Sequence, residues 1–295
     1  SAAILKNTID NFDWVRPGIL LYGTSPLATL TNLSGFSKVM TLLSRIITIN
    51  FCKKLTPKSL WINIFTDDPF NFSNPMISNN NVLRTIKFFN YYCLWSQKII
   101  SKINRKLVIN KNKLIYLPFA YDVTKKNFLK KSKFFKYNLN FVGSYDPIRF
   151  NLVKSINIKK IIIGGGYWFK KKNLLAAKVM PHVYNKELFN ITNDSAISLN
   201  ILRAQNLTSH NMRTFEIPSM NGLMLTTRSK EQEFFFKENK ECFMYTGKRE
   251  LGKKIDYIMK NPQLARNVRA RGFLASKKHT YNKRVQFLIK KIFKK

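Results

Sequence analysis

Residues 196–227, AISLNILRAQNLTSHNMRTFEIPSMNGLMLTT, contain the pattern that decides the fold. Two short apolar runs, 196–201 and 223–227, predict buried β-strands, and the residues between them predict a loop followed by a short helix. A strand, a crossover helix and a second strand form the repeating unit of a parallel sheet. Ligands of such sheets bind beyond the carboxyl ends of the strands. The polar residues between the two runs are therefore where a ligand site is expected.

Short apolar runs alternate with helical patterns along the rest of the chain. They predict strands at 18–23, 60–65, 91–95, 113–118, 139–143, 160–165, 196–201, 223–227 and 242–246. Helices are predicted around 26–44, 82–90 and 97–107. Strands separated by helices at this spacing form parallel sheets, and a Lys-rich polar section after residue 122 divides the strands into two series. The sequence predicts an α/β protein with two Rossmann-like domains that face each other across a cleft.

The domain boundaries follow from this division. We predict an N-terminal domain at 1–122, a C-terminal domain at 123–280 and a basic C-terminal helix at 281–295. The first residues have the pattern of a helix that is ending, so the first strand of the N-terminal domain is expected to lie outside the sequence. The run Gly164–Gly166 lacks the spacing of a phosphate-binding loop and predicts a turn after a strand. The apolar face of the last helix predicts packing on the domain; the alternative is a helix lying on an anionic membrane.

The charge of the chain is strongly basic. Lys and Arg number 52 against 15 Asp and Glu, which gives a formal net charge of +37. A codon bias toward A and T is one cause, and the abundance of Asn and Phe favours it. A polyanionic partner such as nucleic acid, anionic lipid or acidic glycan is the other, and the scarcity of acids favours it.

Cysteine and histidine are rare, with three residues each and no CxxC spacing. This pattern predicts neither a disulfide framework nor a metal site and favours a reducing, cytoplasmic compartment. Peripheral contact with the inner face of a membrane is compatible with it. The sequence contains no signal-peptide pattern and no apolar run of about 18 residues, so no bilayer-spanning segment is predicted.

Glu216 is the residue that points to a particular ligand. A carboxylate near the start of a helix at a strand end can accept two hydrogen bonds from the vicinal hydroxyls of a ribose. Arg213, one helical turn earlier, can hold a diphosphate. A nucleotide diphosphate meets both groups. The alternative is that Glu216 is an acid favoured by the helix dipole alone.

Five motifs occur in an order and spacing that resemble one enzyme family. They are TDDPF (66–70), YLPFAYD (116–122), FVGSYDPIR (141–149), NMRTFEIPSMNGLMLTT (211–227) and HTYNKR (279–284). Together they resemble the CgeB-type, spore-maturation-like glycosyltransferases of the GT-B superfamily, from about residue 60 to 290. The resemblance implies a GT-B fold in which the N-terminal domain holds the acceptor and the C-terminal domain holds a nucleotide-sugar.

The resemblance also implies roles for individual residues. Glu216 matches the glutamate that binds the donor ribose, whereas Thr208 stands where the wider superfamily has a second glutamate. The implied donor-binding residues are Gly143, Ser144, Arg149, Glu187, Asn211, Arg213, Thr214 and Glu216. The catalytic candidates are Asp67, Asp68 and His210. For the two aspartates a base, a metal ligand and a turn-stabilising or acceptor-side role all stay open, whereas His210 is expected to reach the transferring sugar.

The predicted activity is transfer of a sugar from a nucleotide-sugar, with UDP as the expected nucleotide, without a cofactor or a metal. The acceptor predicted from the charge is polyanionic, either modified DNA or an anionic surface glycan. The alternative from another class is a catalytically inactive nucleic-acid-binding protein with a GT-B-like fold.

Overall fold

The computed structural model describes residues 20–23, 54, 59–71, 80–123 and 135–293. The chain divides into two compact units, Ser1–Pro118 and Phe119–Lys295, which are described separately below. The predicted helix at 26–44 lies outside the described residues. The division at Pro118 falls next to the motif YLPFAYD.

The N-terminal unit contains a four-stranded parallel sheet. Its strands are β1 (Leu20–Gly23), β2 (Trp61–Phe65), β3 (Tyr91–Leu94) and β4 (Leu114–Tyr116), adjacent in chain order. Its helices are α1 (Asn80–Thr85), continued by a 3-10 turn at Ile86–Phe88, and α2 (Gln97–Lys106). On β2 and β3 successive side chains on both faces are buried, because helices cover a parallel sheet on both sides. The strands predicted as continuous apolar runs are confirmed here.

The C-terminal unit contains a six-stranded parallel sheet in the order β10-β9-β8-β5-β6-β7. The strands are β5 (Tyr137–Val142), β6 (Ile161–Gly164), β7 (Ala177–Met180), β8 (Ser195–Asn200), β9 (Met224–Thr227) and β10 (Phe243–Tyr245). The chain builds outward from β5 to β7 and then returns to pair β8 with the other side of β5. At a reversal of this kind, a ligand crevice is expected beyond the carboxyl ends of the strands, here β5 and β8.

The helices of the C-terminal unit are α3 (Pro147–Lys154), α4 (Asn185–Asn193), α5 (Arg213–Ser219), α6 (Lys230–Phe235), α7 (Gly247–Lys260), α8 (Pro262–Ser276) and α9 (Tyr281–Phe293). Local sequence sets several of their starts. Asp146 caps α3 by accepting a hydrogen bond from the Arg149 amide at 3.0 Å, and Pro147 follows it. Helix α8 begins at Pro262, whose fixed φ suits the first position of a helix.

Strand β7 was missed by the sequence analysis. It lies at the edge of the sheet, and its residues are only partly buried or exposed. The run AKVM includes an exposed lysine, Lys178, so it lacks the continuous apolar pattern that marks the other strands.

The loops that follow β5 and β6 are held together by a close backbone approach. Gly165 has φ of +135°, and a Cβ atom there would lie 2.2 Å from the carbonyl oxygen of Gly143. The Tyr145 amide donates to the Gly166 carbonyl at 3.1 Å. Only glycine fits at position 165, because any side chain would collide with the neighbouring loop. Strand β6 ends at Gly164, which confirms the predicted turn after a strand.

The last helix, α9, is tied to the segment that opens the C-terminal unit. Arg284 donates through Nε and Nη2 to the Phe119 carbonyl at 3.3 and 3.2 Å. Tyr121 forms a parallel bridge with Thr280, and Leu288 is buried. The helix therefore packs on the C-terminal unit, as predicted. None of the helices within the described ranges combines the length and apolarity needed to cross a bilayer.

Candidate functional site

The candidate site lies beyond the carboxyl ends of the neighbouring strands β5 and β8. The loops that follow these strands and the first residues of α5 border it. Arg213 and Glu216, three positions apart in α5, form an ion pair. The Nε atom of Arg213 also donates to the Val142 carbonyl at the end of β5, at 3.2 Å. The Arg213 and Glu216 side chains keep 24% and 13% of their surface exposed, so both polar groups remain accessible to a ligand. The structure thus brings the two predicted residues together at the carboxyl edge of the sheet.

Asn211 and Thr214 fix the first turn of α5. The Asn211 side chain accepts from the Thr214 amide at 3.0 Å, and the Thr214 hydroxyl accepts from the Asn211 amide at 3.2 Å. Asn200 lies at the end of β8. Its side-chain amide and that of Asn211 exchange two hydrogen bonds, at 3.1 and 2.9 Å. Thr214 is fully buried. Asn211 and Thr214, both predicted to bind the sugar donor, thus hold Arg213 in position. Direct contact of Thr214 with a ligand stays a prediction, and the burial of this side chain does not favour it.

Arg149 lies beneath the crevice and joins the two loops. Its Nη2 and Nε atoms donate to the Ile201 carbonyl at 2.7 and 3.2 Å, and Nη1 donates to the Ser144 carbonyl at 2.9 Å. Asp146 lies 3.3 Å from Nε. Burial lowers the pKa of Arg149 to about 10, so the guanidinium remains charged at neutral pH. Because the N–H groups of Arg149 donate to backbone carbonyls, this side chain links the two loops and is less available to bind a phosphate.

Arg203 was not singled out from the sequence. It is an exposed residue shortly after β8, and no ion pair forms on it among the described residues. The charges of Arg203 and Arg213 both lower the pKa of Arg149, after the larger effect of burial, so the three guanidinium groups lie near one another. The position of an arginine just beyond a predicted strand is the signal that could have found it.

Gly143 and Ser144 form the predicted loop after β5. A Cβ atom at Gly143 would lie 3.0 Å from the Phe141 ring and 3.4 Å from Nη1 of Arg149. The Nε1 atom of Trp168 donates to the Gly143 carbonyl at 2.7 Å. Ser144 is exposed. The small residue lets the loop lie close to Arg149 while its outer side stays open.

His210 is completely buried in the core of the C-terminal unit. Its Nδ1 atom lies 2.7 Å from a carboxylate oxygen of Glu231, and Nε2 accepts from the Phe119 amide at 3.1 Å. The ring packs edge-on against Phe215 and Phe235. Burial lowers its pKa, and the hydrogen bond to Glu231 opposes this shift. The neutral ring therefore links the first residues of the C-terminal unit to α6. The predicted contact of His210 with the transferring sugar would require the side chains that bury it to move.

The motif HTYNKR contains a tyrosine whose pKa is affected by the charge of Glu216. Burial raises the pKa of Tyr281 to about 12, with additional contributions from the charges of Glu216 and Asp122. The Tyr281 hydroxyl is thus within electrostatic reach of the carboxylate in α5. The sequence identified the motif but assigned Tyr281 no role, because 65 residues of chain separate it from Glu216.

Exposed aromatic side chains lie after β6 and β7, at the same carboxyl edge of the sheet. His182 and Tyr184 are exposed and stack with ring centroids 5.9 Å apart. Tyr167 is 73% exposed. Glu187, the predicted base-flanking residue, lies partly buried in the first turn of α4. Flat exposed rings at this edge provide surfaces on which a planar group can stack.

In the N-terminal unit, Asp67 and Asp68 follow β2. The Asp68 side chain accepts from the Phe70 amide at 2.9 Å, and its carbonyl accepts from the Asn71 amide at 3.0 Å. The Trp95 indole lies 3.4 Å from the Asp67 carbonyl. Asp68 therefore stabilises the turn around Pro69, one of the roles the sequence left open. Across the described ranges, no three His, Cys, Asp or Glu side chains are grouped so that they could hold a metal ion.

Comparison with solved structures identifies the fold. HepE from Anabaena, in complex with UDP-glucose, is similar with a TM-score of 0.64 and 10% identity over 86% of this chain and 77% of HepE. TarM is similar with a TM-score of 0.62 and 11% identity over 81% of this chain and 51% of TarM, so this chain spans about half of its length. Sucrose-phosphate synthase from Thermosynechococcus elongatus gives a TM-score of 0.61 and 9% identity, over 82% of this chain and 70% of that one.

Comparison of sequences gives matches to parts of the chain. Residues 149–290 match the model of a family described as glycosyl transferase-like. Alanine racemase from Nitrosomonas europaea is 56% identical over 50 residues, which are 17% of this chain and 14% of the racemase. The racemase from Burkholderia mallei is 43% identical over 56 residues. The chain therefore spans only a small part of the length of these curated relatives.

The two parallel-sheet units and their structural neighbours define an α/β protein of the GT-B type, which confirms the predicted fold class. The match to the glycosyl transferase-like family covers most of the C-terminal unit.

Proposed function

We propose that the chain is a CgeB-type glycosyltransferase that moves a sugar from a nucleotide-diphosphate donor to a hydroxyl group of an anionic acceptor. The observation that carries the proposal is the Arg213–Glu216 pair beside the carboxyl ends of β5 and β8. The carboxylate accepts hydrogen bonds from the vicinal hydroxyls of a ribose, and the guanidinium neutralises the phosphates attached to that ribose. One nucleotide engages both groups.

The chemistry requires stabilisation of a leaving diphosphate. When the bond between the sugar and the β-phosphate oxygen breaks, negative charge develops on that oxygen. Arg213 is partly exposed at the carboxyl end of β5, Arg203 is exposed shortly after β8, and the buried charge of Arg149 adds to the local positive potential. By analogy with one donor of an oxyanion hole, losing one such contact costs about 2.7–4 kcal/mol in the transition state. These cations take the role that a metal ion has in other transferases, and we propose a metal-independent reaction.

The proposed donor is a UDP-sugar, and no cofactor takes part. HepE, a structural neighbour, is described in complex with UDP-glucose. In this chain the ribose would bind at Glu216, and the base would reach the stacked rings of His182 and Tyr184 beside Glu187. The exposed rings offer a flat surface for a base, which favours stacking over polar recognition.

The proposed acceptor is a polyanion, either modified DNA or an anionic surface glycan. Residues 80–118 contain eight Lys and Arg residues and no acid. On helix α2 the apolar residues Ile99 and Ile103 are buried, whereas the basic residues Lys98, Arg105 and Lys106 are exposed. For an inverting reaction, Asp67 or Asp68 is the proposed base. A duplex acceptor would have to flip its target base out of the stack.

The test is a donor-binding and donor-hydrolysis screen on the wild type, Glu216→Gln and Glu216→Ala. Loss of a charge-assisted hydrogen bond should weaken binding of UDP, measured by calorimetry, by roughly 10–100-fold. Glu233→Ala, which removes an exposed acid that pairs with Arg228 elsewhere, is the matched control and should bind like the wild type. Unchanged affinity for all nucleoside diphosphates in Glu216→Ala would remove Glu216 from the site.

The acceptor is tested separately with hydroxymethylated duplex DNA and with an anionic glycan in the presence of the donor found by the screen. DNA binding should weaken steeply as salt rises, because it releases counterions. Turnover on either acceptor distinguishes an enzyme from the alternative, an inactive nucleic-acid-binding protein of the same fold. DNA binding without hydrolysis of any nucleotide-sugar would favour that alternative.

A further inference from the structure

Residues 167–174, YWFKKKNL, form an exposed segment after β6 that we call the aromatic–lysine loop. Tyr167, Phe169 and Leu174 are 73%, 53% and 53% exposed. The three lysines between them, Lys170–Lys172, are exposed as well. Large apolar side chains and a cluster of positive charges therefore share one short segment of surface.

The loop is anchored from inside the unit. Trp168 is fully buried, packs edge-on against Phe141 and Tyr145, and donates to the Gly143 carbonyl at 2.7 Å. Tyr167, immediately before it, has a left-handed backbone with φ of 68°. A bulky aromatic residue adopts this conformation only where its surroundings impose it. The buried indole and the turn hold the neighbouring side chains outward.

The segments that precede and follow the loop in the sequence contain no acid. No Asp or Glu occurs from residue 147 to residue 186. Within the loop, the ammonium group of Lys172 lies 4.4 Å from the centre of the Phe169 ring, so charge and apolar surface are adjacent. Such a surface is complementary to one that offers negative charge at its face and hydrocarbon just beneath.

We propose that the aromatic–lysine loop docks on an anionic phospholipid surface. The lysines meet lipid phosphates, while Phe169 and Leu174 enter the boundary between headgroups and acyl chains. Nucleic acid accounts for the lysines and for a stacked phenylalanine, but a leucine offers no stacking face, so the lipid surface fits all of the exposed side chains. Docking is independent of the proposed sugar transfer. Because Trp168 bonds to Gly143, the loop lies beside the donor crevice and would hold it near the membrane.

The test is sedimentation with vesicles of phosphatidylcholine alone and of phosphatidylcholine mixed with phosphatidylglycerol, without any nucleotide-sugar. Wild type should bind the anionic vesicles and not the neutral ones. The triple change Lys170→Gln, Lys171→Gln and Lys172→Gln should weaken binding by roughly 100-fold, because each lysine near such a surface contributes about fivefold. Phe169→Ser should weaken it by roughly tenfold, since a half-exposed ring loses its insertion.

The control removes the same charge from the opposite edge of the sheet. Lys154, Lys159 and Lys260 are exposed and lie near the amino ends of the strands or at helix ends that face that edge. Their triple change to Gln should leave vesicle binding within about threefold of wild type, because only charge close to the lipid contributes strongly. Equal losses in both triple variants would overturn the proposal, as would binding to duplex DNA without binding to anionic vesicles. Hydrolysis of the donor in the absence of vesicles should be unchanged in every loop variant.

Discussion

Two arginines at the crevice should respond in opposite ways to the same substitution. Arg149→Met removes three hydrogen bonds to the Ser144 and Ile201 carbonyls and the ion pair with Asp146, which still caps α3 through the Arg149 amide. A hydrogen bond from a charged donor contributes about 1.5–3 kcal/mol, so losing the bonds to two carbonyl groups should lower the free energy of unfolding by about 3–6 kcal/mol. Arg213→Met removes a partly exposed pair and one carbonyl contact, which together contribute about 1–2 kcal/mol.

The rates should show the reverse order. If Arg213 contacts the diphosphate, Arg213→Met should lower kcat by roughly 10²–10³. Arg149→Met, once measured under conditions where it is fully folded, should lose less than about tenfold, because its donors already serve backbone carbonyls. Urea unfolding followed by circular dichroism gives the stabilities, and donor hydrolysis gives the rates. The reasoning would be refuted if Arg149→Met were as stable as the wild type and inactive, since Arg149 would then be the direct clamp.

Two further predictions concern the scaffold. Gly165→Ala should destabilise the protein by more than about 2 kcal/mol, because the new Cβ atom would lie 2.2 Å from the Gly143 carbonyl oxygen. The control is Gly252→Ala in α7, where no atom lies within 4 Å of the Cβ position. It should be neutral or stabilising by up to about 1 kcal/mol. Burial lowers the pKa of His279 to about 4, aided by the charge of Arg284. The unfolded state then binds more protons below the unfolded pKa of about 6.5, so stability should fall as pH drops from about 6.5 toward 4, and His279→Gln should flatten this part of the profile. Thermal melts across this pH range check the second prediction, and an unchanged slope in His279→Gln would contradict it.

The sheets could be predicted because parallel strands are buried on both faces and therefore appear as continuous apolar runs. Strand β7 could not, because an edge strand tolerates polar and exposed residues. The start of α3 was readable from Asp146 and Pro147, whose effects are local. The Arg213–Glu216 pair was readable for the same reason, since residues three apart on a helix meet whatever the rest of the chain does.

Contacts between distant segments were the part that the sequence did not predict. Arg149 has the appearance of a phosphate-binding arginine, yet its partner carbonyl at Ile201 is 52 residues away. His210 lies next to the donor motif, but Glu231 and the Phe119 amide engage both of its nitrogens in the core. Whether a polar residue in a site loop faces the ligand or the core depends on packing between elements, and a single sequence does not contain that information.

The distribution of charge along the chain bears on its cause. A codon bias acts on every segment alike, yet residues 69–121 and 147–186 contain no acid at all. Six of the 15 acids lie between Glu231 and Asp256. Several of these are occupied by cations within the same segment: Arg228 pairs with Glu233 and Glu238, and Lys254 pairs with Glu238. Acids thus occur where they pair with nearby cations. They are missing from α2 and from the aromatic–lysine loop, where lysines are exposed. This segregation favours the proposed anionic partners over a uniform bias in composition.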